Sequence, residues 1–354
     1  MNDCRTFFYL IQSHTVIKIF IGSFFLGIAS GIIGIFISFK KKSLIGDTLS
    51  HAVLPGIALS YIWFHSTSEQ IIWCGAFISA FISLFLIELI KKYSRLKSDT
   101  ILSLILSSFF GLGNVLIAYI QKKTEDCSIA VLEKFILGQV ALISGKNVQI
   151  ICLISFFIIL ITILFWKELK LFTFDENFAQ SVGFNRLLLT SLLNTLLIVL
   201  ITTSLKITGI IFTSGFLIIP GVITRYLSDK LATNMFLVSI IAFFSSILGI
   251  ILSLQITNLP TGPIIIVINT FFIILTCLFA PKYGMIRKFW QRRKYQQKIK
   301  KFKQLIHFYH HCLTRNIVFA PFLFKEKYLQ QEGSKIIITT KGIELVENLI
   351  QGRI

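Results

Sequence analysis

Long apolar runs separated by short polar and basic connections set the pattern of this chain. About nine of the runs come near the ~20 residues that a helix needs to cross the hydrocarbon core of a bilayer. They lie at approximately 16–39, 44–64, 70–90, 100–120, 148–166, 187–204, 208–226, 232–254 and 262–280. The expected fold class is therefore an all-α polytopic membrane protein with about nine transmembrane helices. A further apolar stretch, Phe135 to Ile143, is too short to span and reads as a re-entrant or interfacial helix. The first run, Val16 to Phe39, is too long for the core of a signal peptide and lacks a small-residue cleavage site, so it reads as a retained span.

Charge orients the spans. Lys40-Lys41-Lys42, then Lys91-Lys92 with Arg95 and Lys97, then Lys167 and Lys170, then Arg225 and Lys230, and finally a basic tail after Pro281 fall on alternate connections. The positive-inside rule makes those connections cytoplasmic, with the N-terminus outside and the C-terminus inside. The mixed-sign 121–134 connection fits the outer side, and Lys206 is the one basic residue this scheme strands there. Composition agrees: 55% of the residues are hydrophobic and only 14% charged, which is outside a soluble domain's usual balance. The net charge of +19 is accounted for largely by the basic clusters and tail, so it does not by itself argue for nucleic acid. Six cysteines at 4, 74, 127, 152, 277 and 312, with no Cys-x-x-Cys, form neither a disulfide framework nor a zinc ribbon.

One stretch breaks the apolar pattern. Gly46-Asp47-Thr48-Leu49-Ser50-His51-Ala52-Val53-Leu54-Pro55-Gly56 puts an acid and an imidazole inside the second span. Four residues apart, Asp47 and His51 share a helical face. An ionisable pair at membrane depth is costly and marks an ion or substrate path by default. Carboxylate and imidazole together can hold a divalent transition metal such as zinc or manganese. Spacing alone is equally compatible with Asp47 capping the helix and His51 bonding a neighbouring helix. With the second span starting near Ser43 on the cytoplasmic side, Asp47 sits roughly 6 Å and His51 roughly 12 Å into it. Pro55 and Gly56 follow, and either open a turn beside His51 or serve close packing.

This stretch resembles the signature of the membrane permeases of bacterial ABC importers for manganese, zinc and iron, the ABC-3 family. Colinear stretches agree: Ser98-Asp99-Thr100, Phe110-Gly111-Leu112-Gly113, Leu137-Gly138-Gln139, Phe174 to Gly183, Thr208-Gly209-Ile210 with Leu217-Ile218-Ile219-Pro220, and Thr261-Gly262-Pro263. The similarity covers about residues 10–285. It implies a permease domain over 1–285 in the bacterial inner membrane and an atypical basic cytoplasmic extension over 286–354. It also implies Asp47 and His51 as the metal-contacting residues of the path. The implied partners are a second permease copy or paralogue, a cytoplasmic ABC ATPase dimer and a periplasmic metal-binding protein. The metal is cargo, with no permanently bound cofactor.

The chain has no Walker A motif: Gly138 and Gly145-Lys146-Asn147 are too widely spaced and lack the magnesium-binding Ser or Thr. It is thus expected to be a transport subunit, not an enzyme, with ATP hydrolysed elsewhere. The short cytoplasmic stretch Phe174 to Gly183 reads either as an ordinary loop with a glycine cap or, given the resemblance, as the coupling helix that docks on the ATPase. Asp175, Glu176, Ala179 and Gly183 are its candidate residues.

The tail carries Arg287, Lys288, Arg292, Arg293, Lys294, Lys298, Lys300, Lys301 and Lys303 among Phe289, Trp290, Tyr295 and Phe302, as expected of a helix on anionic lipid. Gln304 to Leu313 reads as a helix, and Lys335 to Ile350 as strand, turn and helix. That ending is similar to the wing and last helix of winged-helix DNA-binding domains, which makes a DNA-binding, metal-responsive regulator the alternative reading. His307, His310, His311 and Cys312 form a second potential metal cluster, or else the packed face of an amphipathic helix.

Overall fold

The computed structural model describes residues 14–40, 42, 44–65, 68–123, 145–255, 261–280, 284–311, 321–332 and 335–350. The segment Phe135 to Ile143 lies outside them. The chain separates into two compact units, Met1–Cys277 and Leu278–Ile354, with the boundary in the last turn of a helix.

The regular secondary structure of the first unit's described residues is all helix. Its elements are α1 (His14–Phe39), α2 (Leu44–Phe64), α3 (Glu69–Tyr93), α4 (Ser98–Lys123), α5 (Gly145–Leu164), α6 (Trp166–Phe174), α7 (Glu176–Ser181), α8 (Arg186–Leu227), α9 (Leu231–Gln255) and α10 (Thr261–Phe279). Seven stretches in these helices are long and apolar enough to cross a membrane. The chain is thus an all-α polytopic membrane protein. Helix α2 is not among those seven, and like α1 it is largely enclosed by protein. Ile45, Leu49, Val53, Ile57 and Tyr61 are buried along it, and with them the polar Thr48, Ser50 and Ser60.

Two devices set the packing around α2. A Cβ placed on Gly56 would run into the Gly75 carbonyl oxygen, so glycine is what permits α2 and α3 to cross this closely. Ser79 of α3 donates to the Ala52 carbonyl at 2.6 Å, one turn before Pro55, a bond worth on the order of 0.6 kcal/mol in a membrane interior. On the other side, α4 passes over the proline, where a Cβ at Gly113 would meet Leu54 and Pro55. Helix α2 runs unbroken from Leu44 to Phe64. Pro55 and Gly56 therefore serve close packing against α3 and α4 rather than an opened turn.

Helix α8 would measure about 63 Å if straight, twice the depth of the hydrocarbon core. It reverses instead. Gly209 has φ 73° and ψ 170°, a conformation that a residue with a Cβ rarely adopts. Ser204 Oγ lies 3.5 Å from Thr213 Oγ1, which nine residues of straight helix would hold about 13 Å apart. Thr208 and Thr213 are also hydrogen-bonded, at 3.0 Å, so the hydroxyls of the reversal satisfy one another inside the bundle. Both arms return to the same end of α1. Leu193 and Leu197 of the first lie with Ile37, Lys40 and Ile45 around a small cavity, and Leu217 and Gly221 of the second abut Gly34. The two spans expected at 187–204 and 208–226 are the two arms of this hairpin.

The second unit contains α11 (Met285–Lys301), α12 (Lys303–His311), α13 (Pro321–Lys325), β1 (Leu329–Glu332), β2 (Lys335–Ile338) and α14 (Thr340–Ile350). The strands pair antiparallel with Leu329 opposite Ile338. Leu305, Leu323, Tyr328, Leu329 and Val346 form its core. Thr339 ties hairpin to helix, donating to the Lys327 carbonyl and accepting from the Gly342 amide. None of α11 is buried, as its run of basic residues leads one to expect. His307 is exposed on α12; the side chains of His310 and His311 and the whole of Cys312 lie outside the described residues.

Candidate functional site

Helix α2 begins with an acid in its first turn, where the unpaired backbone amides favour negative charge. The same helical turn carries His51 round to that acid. His51 Nε2 lies 3.4 Å from Asp47 Oδ1, with the imidazole 19% and the carboxylate 38% exposed. The helix is fixed at this level by the hydroxyl of the fully buried Thr48, which reaches the Leu44 carbonyl of its own helix and the Leu102 carbonyl of α4.

Two residues from other helices complete the surroundings. Ser214, in the second arm of α8, lies beside the Asp47 carboxylate. Phe110 of α4 sets its ring edge-on to the imidazole, with centroids 5.0 Å apart and planes at 78°. His51 Nδ1 is buried and has no hydrogen-bond partner among the described residues. With the Nε2 proton turned toward Asp47, Nδ1 keeps a lone pair that accepts no hydrogen bond from the described residues. A buried imidazole nitrogen left in that state is a ready metal ligand. The carboxylate supplies a hard oxygen beside it.

Only these two groups converge. Among the described residues no three His, Cys, Asp or Glu side chains come together. Zinc asks for about four donors and the harder divalent ions for about six. Among the described residues, Asp47 and His51 could thus supply only part of such a shell.

The second candidate segment begins with Asp175, whose Oδ1 accepts from the Asn177 and Phe178 amides, both at 3.0 Å, and so caps α7. Glu176 bridges two cations, Lys40 Nζ at 3.1 Å and Arg186 Nη2 at 2.9 Å. Lys40 lies against the Phe172 ring as well. Burial lowers the Lys40 ammonium pKa to about 8 despite the bond to Glu176. Burial by itself would raise the Glu176 carboxyl, but the Lys40 bond and the charges of Lys40, Arg186 and Lys42 hold it below its ordinary value.

Ala179 is 1% exposed and packs with Phe172 and Leu189. Gly183 has φ 98°, which ends the helix and lets Phe184 bond back to the Ala179 carbonyl. All four residues singled out from the sequence thus build and anchor the segment. The face that they leave outward is apolar: Phe174, Phe178 and Val182, spaced by four and each more than half exposed. Sequence reasoning missed these three, although their spacing of four was the available signal. It also missed Ser214, Lys40 and Arg186 as partners, for which no local signal exists.

The ABC 3 transport family matches residues 12–280. The chain is 32% identical over 285 residues to the zinc transport system membrane protein TroC of Treponema pallidum, covering 80% of this chain and 95% of that one. It is 33% identical over 267 residues to the manganese transport system membrane protein MntC of Bacillus subtilis, covering 75% of this chain and 61% of that longer protein. Among solved structures, PsaBC from Streptococcus pneumoniae in complex with Fab superposes with a TM-score of 0.69 at 27% identity, over 80% of this chain and 99% of that one.

Proposed function

Because the chain belongs to the ABC 3 transport family, as a multi-pass inner-membrane permease of a metal ABC transporter, we propose that Asp47 and His51 are the groups that hand its metal ion across the bilayer. The observation that carries this reading is the buried, unpartnered Nδ1 of His51 beside the Asp47 carboxylate. Relatives are named for zinc, manganese and iron transport, and a carboxylate with an imidazole suits all three ions. Since the two donors found among the described residues are too few for any of them, a second permease copy or paralogue brings further ligands to the open side of Asp47. A shell assembled from two chains can be taken apart by moving them. Transport needs a site that binds and then releases.

The energy comes from a separate ATPase, which meets α7. A helix of six residues, capped at both ends and clamped by Lys40 and Arg186, moves as a rigid body when its partner closes. Phe178 of this helix, with Phe174 before it and Val182 just after it, is the surface offered to an apolar groove. The clamp ties that surface to the α1–α2 connection at Lys40, seven residues before Asp47. A push on α7 therefore reaches the helix that carries the metal ligands directly. An external metal-binding protein delivers the ion from the opposite side. No observation favours DNA binding by residues 286–354: the family match stops at 280, and the relatives are transport proteins.

ATP-dependent uptake of radioactive zinc, manganese and iron(II), measured in competition in proteoliposomes that hold the permease and its ATPase, tests the reading and identifies the cargo. Uptake that proceeds without the ATPase would contradict it.

A further inference from the structure

Beside α7, at the end of the first unit where Lys40 meets Glu176, a cleft of about 800 Å³ opens between the last turn of α3 and the start of α8. Lys42, Lys91, Lys92 and Arg186 line it, against the carboxylates of Glu88 and Glu176. Glu176 is already engaged by Lys40 and Arg186. Glu88 is left to offset three lysines. Lys42 is half-buried, and among the described residues no carboxylate lies within 4.0 Å of it. A half-buried ammonium facing other ammonium groups is unfavourable until an anion joins them.

The lips of the cleft indicate what kind of anion. Along α3 the exposed residues Phe77, Phe81, Phe85 and Leu89 form a stripe that ends one turn from Lys91 and Lys92. The stripe is about 18 Å long, near the ~15 Å of hydrocarbon in one leaflet. On the facing lip Leu187 is 77% exposed. A ligand with an anionic end and a long apolar end satisfies cleft and stripe together, whereas a soluble anion or an acidic side chain satisfies the cleft alone. We propose that this cleft binds the phosphate headgroup of an anionic phospholipid, with the acyl chains laid along α3. The bound headgroup neutralises the lysines next to the Lys40–Glu176 clamp and braces the α2 end of the bundle against α7.

The test uses the full-length permease co-expressed with its ATPase, purified in mild detergent and titrated with dioleoylphosphatidylglycerol or dioleoylphosphatidylcholine, with retained lipid counted by native mass spectrometry. Phosphatidylglycerol is retained and phosphatidylcholine is not. Replacing Lys42 and Lys91 together by Gln weakens retention roughly 25-fold, about fivefold per lysine near a membrane surface. Glu88→Gln, which removes no cation, strengthens it and keeps the test decisive where the lysine variant does not purify. Equal retention of both lipids, or retention unchanged in either variant, would overturn the proposal. Displacement of the lipid by millimolar inorganic phosphate would overturn it in favour of a small-anion site. Loss of the ATPase from the lysine variant with its lipid kept would make the cleft a protein-docking surface instead.

Discussion

Lys40 and Glu176 are 136 residues apart in the chain and 3.1 Å apart in space. Their ion pair joins the connection between α1 and α2 to the first residue of α7, and Arg186 holds the same carboxylate from the start of α8 at 2.9 Å. The segment proposed to meet the ATPase is thus pinned to the start of α8 and to the connection that leads into α2.

This clamp has a predictable pH signature. Lys40 titrates near 8 in the folded protein against an ordinary value of 10.5, so its buried charge costs stability at low pH, and that cost is relieved as pH rises from 8 toward 10.5. Glu176 is shifted downward, so its contribution is present above its ordinary 4.5 and lost as pH falls below it. Wild type should therefore gain thermal stability relative to Lys40→Met between pH 8 and 10.5. Coupling goes the other way, because above pH 8 the ion pair fades: the ratio of metal transported to ATP hydrolysed falls in wild type and is already low in Lys40→Met. Parallel stability curves for the two proteins would remove Lys40 from the account.

Asp175 and Phe178 separate holding the coupling segment from contacting the ATPase. Asp175→Ala removes the cap of α7 at a cost of about 1 kcal/mol and lowers coupling, while Asp175→Asn, which caps as well, restores it. Phe178→Glu leaves the permease folded, since the ring is exposed, and lowers ATPase co-purification by an order of magnitude or more. Pull-down of the ATPase on tagged permease reads both. Loss in Asp175→Asn equal to that in Asp175→Ala would show a contact made by the charge itself.

The tail is a second unit with its own core, so the two parts should be separable. A chain ending at Gly284 should still transport metal, because the helices α1 to α10 survive intact. The isolated 278–354 segment should unfold cooperatively, and Val346→Asp, which puts a charge at a fully buried position, should abolish that transition. Circular dichroism on heating checks both segments.

Much of this architecture was legible in the sequence because membrane helices announce themselves by length and apolarity. A reversal between the runs 187–204 and 208–226 was legible as well, although its place at Gly209, within the second run, was not. That Asp47 and His51 share a helical face followed from their spacing; that they meet one another, rather than cap the helix and bond a neighbour, did not. Whether Pro55 and Gly56 open a turn or pack could not be read locally, because the answer lies in Gly75, Ser79 and Gly113 on other helices. The same holds for Glu176: nothing near it in sequence reveals Lys40. Residues singled out in the coupling stretch turned out to be its scaffold, because a cap, a clamp, a buried alanine and a terminal glycine are what a six-residue helix needs in order to stand at all.

The most direct measurement is ATP-driven uptake of radioactive metal by proteoliposomes carrying Asp47→Asn or His51→Ala permease with its ATPase, the intact complex being verified beforehand by co-purification. Both variants are predicted to fall to the level seen without ATP while keeping the ATPase bound, since the clamp and the α7 surface are untouched. Wild-type uptake by either variant would contradict the claim that this pair carries the metal.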